Sequence, residues 1–395
     1  MDREAFLRDE WRGMRRRLVA HLTEERTTDL ADEVTSVDAR VYTDPARLAA
    51  ERRHVFQDTP LLVGFSGDLP APGDRLLFDA AGPPIVVLRG RDQELHAFLN
   101  LCTHRGSRLV RDCTPARRLV CPHHGWSFDL DGELVSTPLP SAFEGLAPGD
   151  RRLVRVPVEE WNGMIFVRAR ADGDPVQAER FVGSMAPLLR ALDLGSLVPV
   201  KSSVLPVSAN WKLALDTFCE TYHVPALHRD SLSVNLIPYV ALFDHYGRHH
   251  RYSGPGLDFE ALVGCPEEAW PAQSYQAVHY LFPNTTFAFT SSLDGSTPVV
   301  AVFRLFPGAS VGEATTLATT YRRRESGDAS DAELATLHDT VEAVVADEDY
   351  RVAAETWRSL AHAPEGFRCV FGRVEPLLQA YHRDLASVTG LPLPE

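Results

Sequence analysis

Two short pairs of residues, Cys102-Thr103-His104 and Cys121-Pro122-His123-His124, constrain this 395-residue chain more than any other stretch. The first is Cys-x-His, the second Cys-x-x-His, and sixteen residues separate them. Two thiolates and two imidazoles are the donor set of a [2Fe–2S] cluster with two Cys on one iron and two His on the other. Neutral imidazoles in place of two thiolates leave such a cluster less negative and raise its potential. Gly106 and Gly125 follow the pairs closely and allow positive φ, so each pair reads as a tight loop tip. Tetrahedral zinc is the alternative for a Cys₂His₂ set, although zinc fingers usually run Cys-x₂₋₄-Cys and then His-x₃₋₅-His.

At these residues, Asn100-Leu101-Cys102-Thr103-His104-Arg105-Gly106 and Cys121-Pro122-His123-His124-Gly125-Trp126, the chain resembles the Rieske non-haem iron oxygenases. Respiratory Rieske proteins usually add a disulfide beside the ligands. Ser107 and His123 stand where its cysteines would fall, which favours the oxygenase branch.

Bulk properties narrow the class. The length suffices for two domains, and a formal charge of −14 argues against nucleic-acid binding. Cys113, Cys219, Cys265 and Cys369 show no framework spacing, which fits a reduced, cytoplasmic setting. Cys113 lies between the ligand pairs without a partner at short spacing and reads as a loop or core thiol. No apolar run reaches the roughly eighteen residues of a membrane helix, and the charged N-terminus lacks a signal-peptide core.

Leu7, Trp11, Met14, Leu18 and Leu22 predict a helix over residues 4–25. A second helix starts at Asp44-Pro45. From Leu61 to Val167, short apolar runs alternate with Gly, Pro and Asp turns, including a hairpin at Asp131-Gly132, and predict a small antiparallel β domain. Asp172-Gly173-Asp174-Pro175 marks a link to a second domain, with a helical stretch over 176–195 and a strand over 198–208. The expected division is an N-terminal helical segment (1–40), a Rieske domain (41–170) and a catalytic domain (171–395).

A second constellation follows. Asn210 can cap a helix running through Trp211, Leu213, Leu215 and Phe218. Glu220 and His223, three apart, then share one face. Pro225 stops the helix, so His228 can turn back towards His223. Two imidazoles need one carboxylate to form a facial triad on Fe(II), with positions left open for O₂ and substrate. An isolated His-x₄-His is more often structural, but an electron-delivering cluster upstream reverses that preference.

The resemblance extends over Asn210-Trp211-Lys212 and Phe218-x-Glu220-x-Tyr222-His223-x₄-His228. It implies that His223 and His228 bind the mononuclear iron. Glu220 would bridge to a cluster histidine of a neighbouring subunit, a carboxylate being able to accept from two imidazoles. Asp216 and Thr217 depart from a frequent Glu-Asn. Ser330-Asp331-Ala332-Glu333 is a capping box that opens a long amphipathic helix leading to Asp347-Glu348-Asp349. The resemblance makes Asp349 the third ligand, with Asp347 as runner-up, and at least two of these three acids are read as an exposed turn. Residues 275–306 alternate as strands of a pocket wall, Leu236, Ile237 and Tyr239 are further lining candidates, and His245, His249 and His250 read as a solvated loop.

The resemblance implies an α+β fold: the Rieske domain plus a curved antiparallel sheet flanked by helices, of helix-grip (START-like) type. It implies a terminal oxygenase that hydroxylates or oxidatively demethylates a small aromatic or quaternary ammonium substrate with O₂. Electrons would come from a separate NAD(P)H-dependent reductase, with or without a ferredoxin, since no dinucleotide-binding glycine motif is present. In the family the assembly is a homotrimer. The alternative is a Rieske electron-transfer protein without oxygenase activity.

Overall fold

The computed structural model describes residues 2–24, 26–146, 151–292, 295–324 and 327–393. The chain forms two compact units. One comprises residues 52–181 and 193–198; the other comprises 1–51, 182–192 and 199–395. This division differs from the expected segments. The N-terminal helix is not a separate element, and the first 51 residues pack with the late part of the chain.

The unit spanning 52–181 is built from three antiparallel sheets of three strands. Leu61–Phe65 pairs with Met164–Val167, which pairs with Val158–Trp161. Arg75–Phe78, Ile85–Arg89 and Leu95–Leu99 form the second sheet. Leu119–Val120, Ser127–Phe128 and Leu134–Ser136 form the third, closed by the expected turn with Gly132 at φ 84°. Val86, Leu88, Phe98, Leu109, Trp126 and Phe128 form the core beneath the cysteine loops, and Cys102 and Cys121 belong to that core. Burial of the two thiols roots both loops in the least deformable part of the unit.

The other unit is organised on a seven-stranded sheet. Its order is Leu197–Val207, Ala314–Arg323, Pro298–Pro307, Thr285–Ser291, Ala277–Leu281, His249–Ser253, Leu242–Tyr246. Adjacent strands from Leu242–Tyr246 to Ala314–Arg323 run antiparallel. Helix Arg3–Thr23, capped by Asp2, buries Trp11, Met14 and Leu18 against Ile237, Leu242 and Phe259. His245, His249 and His250 are not a solvated loop. They lie on a hairpin turning at Gly247, and His249 and His250 are buried. Burial, reinforced by its histidine neighbours, pushes His250 down to about 3. A neutral imidazole packs as a flat ring, here stacked on Tyr280 at 5.9 Å.

A buried ion pair fixes the start of the stretch that carries the second constellation. Glu51 accepts from Lys212 Nζ at 2.6 Å and from Trp211 Nε1 at 2.8 Å. The Glu51 and Lys212 side chains are each 2% exposed. Burial lowers the Lys212 ammonium from its ordinary value, and Glu51 opposes that shift. Replacing only one partner strands a charge in the core, which typically costs about 3–5 kcal/mol. Glu51→Leu is therefore expected to lower the unfolding free energy by about that much in urea titrations, and Glu51→Leu/Lys212→Met to recover most of the loss. A single-variant loss below about 1 kcal/mol would show that the pair does not hold this region.

Candidate metal centres

The two cysteine loops are built alike. Gly106 N donates to Cys102 O at 2.8 Å, and Gly125 N donates to Cys121 O at 2.9 Å. Both glycines take positive φ, 74° and 71°. Cys102 N donates to Ser107 O at 2.7 Å, and Cys121 N to Trp126 O at 2.8 Å, closing each loop at its base. Asn100 adds a staple, bonding both Val110 O and Val110 N at 2.8 Å. Cys113 is exposed, apart from these buried thiols.

The donor set suits a cationic cluster. The His104 and His124 rings lie 4.8 Å apart, and Trp126 stacks on His104 at 4.7 Å. His104 Nδ1 is buried with no hydrogen-bond partner, an orphan that an iron bond would satisfy. Burial pushes the Cys102 thiol up to about 11, with Cys121 adding to the rise. Burial also acts to raise Cys121, but backbone N–H groups of His123 and His124 favour its thiolate and leave it lowered. Two adjacent thiolates need a compensating positive charge, which the iron of a [2Fe–2S] cluster held by Cys102 and Cys121 would supply.

The second constellation converges in the other unit. Asn210 caps helix Trp211–Asp216, its side chain accepting from Lys212 N at 3.0 Å. The helix ends before the expected Phe218. Glu220 and His223 therefore meet across a turn and not along a helical face. The Glu220 carboxylate accepts from the backbone N–H of Tyr222 and of His223 and from His223 Nδ1. Pro225 does not end a helix either. It lies in the first turn of a new one, Val224–Leu227, with His223 before it and His228 after it. One helical turn between the two histidines brings their rings to 5.1 Å.

Asp349 arrives from a helix with a local defect. The capping box at Ser330 opens helix Asp331–Val344, which continues through a π-helical turn, Val345–Asp349, into helix Tyr350–Leu360. Such widened turns recur at functional sites because they re-aim side chains out of the regular α register. Here two consecutive acids both reach the histidines. Asp349 Oδ1 lies 3.2 Å from His228 Nε2 and 3.5 Å from His223 Nε2. Donor atoms of His223, His228 and Asp349 all lie within 4.8 Å of one another, the spacing of ligands around one ion. His228 and Asp349 are buried, whereas Asp347 is exposed.

Glu348 was expected in an exposed turn, and the structure corrects that. Its carboxylate accepts from His228 Nδ1 at 2.7 Å and from Ser231 Oγ at 2.9 Å. Each histidine thus has Nδ1 on a glutamate and Nε2 on Asp349, the carboxylate–imidazole pairing that fixes tautomer and ring orientation at metal sites. Burial acts to lower His228, but bonds to Asp349 and Glu348 outweigh it and hold the group raised. The adjacency of Glu348 to Asp349 was the only sequence signal for this role. Asp216, one of the two departures, accepts from Tyr42 at 2.6 Å, Tyr381 at 2.8 Å and His382 at 3.2 Å. It ties the N- and C-terminal segments beneath the site.

Both glutamate-backed imidazoles and Asp349 face a cavity of about 430 Å³. Leu236, Ile237 and Tyr239 line it as expected, together with Phe218, Phe289 and Phe303. Tyr280 and Phe287 are core residues.

Comparison with known proteins follows the same division. Residues 59–157 match the Rieske [2Fe-2S] domain, and residues 194–390 match the ring hydroxylating alpha subunit (catalytic domain). The glycine betaine monooxygenase oxygenase subunit of Chromohalobacter salexigens is 35% identical over 202 residues, 50% of this chain and 44% of that protein. The biphenyl 2,3-dioxygenase subunit alpha of Rhodococcus jostii is 34% identical over 214 residues, 52% and 44%. The matches thus span about half the length of these relatives. Among solved structures, a quaternary ammonium Rieske monooxygenase in complex with L-carnitine superposes with TM-score 0.76 at 20% identity, covering 91% of this chain and 96% of that one. Naphthalene 1,2-dioxygenase from Rhodococcus sp. does so with TM-score 0.70 at 18% identity, covering 98% of each. With a cysteine–histidine pair of loops in one unit, a His–His–carboxylate cluster in the other and a family match on each, the chain belongs to the Rieske-type ring-hydroxylating oxygenase alpha subunits, whose cofactors are a [2Fe–2S] cluster and a mononuclear iron.

Proposed function

We propose that the protein is the terminal oxygenase component of a multicomponent system that uses O₂ and reductase-derived electrons to oxidise a small organic substrate. The observation that carries this reading is the convergence of His223, His228 and Asp349 at the wall of a cavity large enough for such a molecule. Cys102, His104, Cys121 and His124 are assigned to the cluster, and the other three to the iron. When bound, the cluster supplies single electrons and the ferrous ion supplies a site where O₂ can be reduced beside substrate.

The chain's own contribution is positional. Glu220 and Glu348 bond Nδ1 of His223 and His228, so both Nε2 atoms turn towards Asp349, where their lone pairs would be available to an iron. Apolar side chains, among them Phe218, Leu236, Ile237 and Phe303, wall the cavity beside the three candidate ligands. We further assign the protein a homotrimer in which Glu220 joins the iron site to a neighbour's cluster, and an NAD(P)H-dependent reductase, with or without a ferredoxin, as donor. The six free thiols suit a cytoplasmic setting; no helix among the described residues is long and apolar enough to cross a membrane.

The principal test replaces both histidines. His223→Ala/His228→Ala is expected to lose the mononuclear iron and substrate-dependent O₂ uptake while keeping acid-labile sulfide and the cluster's reduced EPR signal. Electron transfer through the cluster unchanged in the variant, with no substrate-dependent O₂ uptake in either protein, would instead leave an electron-transfer protein with a second structural domain. Glu348→Gln leaves the ligands in place but loosens His228, so Fe(II) affinity is expected to fall about 10–100-fold, measured by competition with a chelator. Glu220 backs His223 as Glu348 backs His228, so Glu220→Gln is assayed at saturating Fe(II), where it is expected to hold both metals yet slow product formation at least about tenfold. Normal turnover by a fully metallated variant would remove Glu220 from the electron path.

A further inference from the structure

A second cavity in the catalytic unit, of about 610 Å³, lies along one face of helix Arg3–Thr23, where Leu7, Arg8, Trp11, Arg12 and Arg15 recur at helical spacing. None of the iron ligands lines it. Phe289 and Thr290 line both this cavity and the one at the iron site, so the two share a wall.

Its charge runs against that of the chain. The protein carries a formal charge of −14, yet four arginines, Arg8, Arg12, Arg15 and Arg323, line this cavity against two acids, Glu4 and Glu267. Glu267 is already engaged, pairing with Arg12 at 3.1 Å and accepting from Arg16 Nη2 at 2.8 Å. Arg15 is 7% exposed and makes no ion pair among the described residues. Its Nη1 donates to Pro271 O at 2.9 Å, and its guanidinium lies 5.1 Å from the Trp270 ring. Burial lowers the group from its ordinary value, and Asp258 and Glu267 oppose that shift by their field alone. A buried charge without a paired counter-charge is unfavourable, and an anion beside it relieves the cost. Arg8, exposed and likewise unpaired, adds a second cation. The other walls include the rings of Trp11, Trp270, Tyr275 and Phe289. An inorganic anion would leave these rings uncovered, and the two acids disfavour a dianion.

We propose that this cavity is a second ligand site and takes a monoanionic organic carboxylate with a flat, apolar body. The carboxylate pairs with Arg15, assisted by Arg8, and the body lies against Trp11, Trp270 and Tyr275. The site does not depend on the oxygenase reading above.

The test is equilibrium dialysis of the doubly metallated protein against 2-naphthoate, 2-naphthylmethanol and acetate. 2-Naphthoate is expected to bind at least about tenfold tighter than the alcohol, which lacks the charge, and at least about tenfold tighter than acetate, which lacks the apolar body. Arg15→Met keeps an apolar stem and removes the charge. Ala272→Trp fills the cavity from an exposed position in its wall and leaves the core untouched. Each is expected to weaken 2-naphthoate binding at least about tenfold. Neither position lines the iron-site cavity, so such a loss assigns the ligand to this one. No retention of 2-naphthoate, binding of the alcohol or of acetate as tight as that of 2-naphthoate, or an unchanged affinity in either variant would each overturn the proposal.

Discussion

One buried carboxylate between two imidazoles sets the terms for the catalytic unit. Asp349 faces Nε2 of both His223 and His228, and a second carboxylate stands behind each ring, Glu220 on one side and Glu348 on the other. A lone ring in a flexible loop would sample many orientations. A ring bonded at Nδ1 presents its other nitrogen in one direction. Five charged or chargeable groups cannot be brought this close in a partly dry site without a compensating cation or shared protons, so the arrangement makes sense as an ion-binding device.

The scaffold answers that demand with rigidity at the points of attachment. Lys212 and Glu51 pin the helix that leads into Glu220, while Asp216 gathers Tyr42, Tyr381 and His382 beneath it. The π-helical turn at Val345–Asp349 lets adjacent acids serve different atoms of the site. Similar logic governs the cysteine loops. Their thiols sit in the hydrophobic core, their turns are closed by backbone bonds at matched glycines, and Asn100 ties the first loop's base to Val110. Each metal-binding stretch is irregular in backbone but anchored at both ends, which is how a site on loops acquires precision.

Much of this was legible in the chain. The paired Cys/His spacings, the strands Leu61–Phe65, Leu95–Leu99 and Met164–Val167, the Asn210 cap and the Ser330 capping box are local features, set by residue chemistry within a few positions. Other readings failed where local pattern competes with burial. Three histidines near residue 247 look hydrophilic, yet two are buried in a strand. Glu220-x-x-His223 has helical spacing, but helix Trp211–Asp216 has already ended, and the carboxylate caps two backbone N–H groups of the following turn. Residues 1–40 read as a separate helical segment, but the apolar face of helix Arg3–Thr23 is completed by residues more than 200 positions away.

Sequence alone determined which donor atoms exist and how they are grouped, because ligand chemistry is a property of residue type and short spacing. Tertiary structure alone decided which of Asp347, Glu348 and Asp349 meets both Nε2 atoms and which braces His228, since a one-residue shift on a helix turns a side chain by about 100°. It also decided that Arg15 is buried without an ion pair among the described residues, because the pairing of a buried charge depends on every neighbour in space and not on neighbours in the chain.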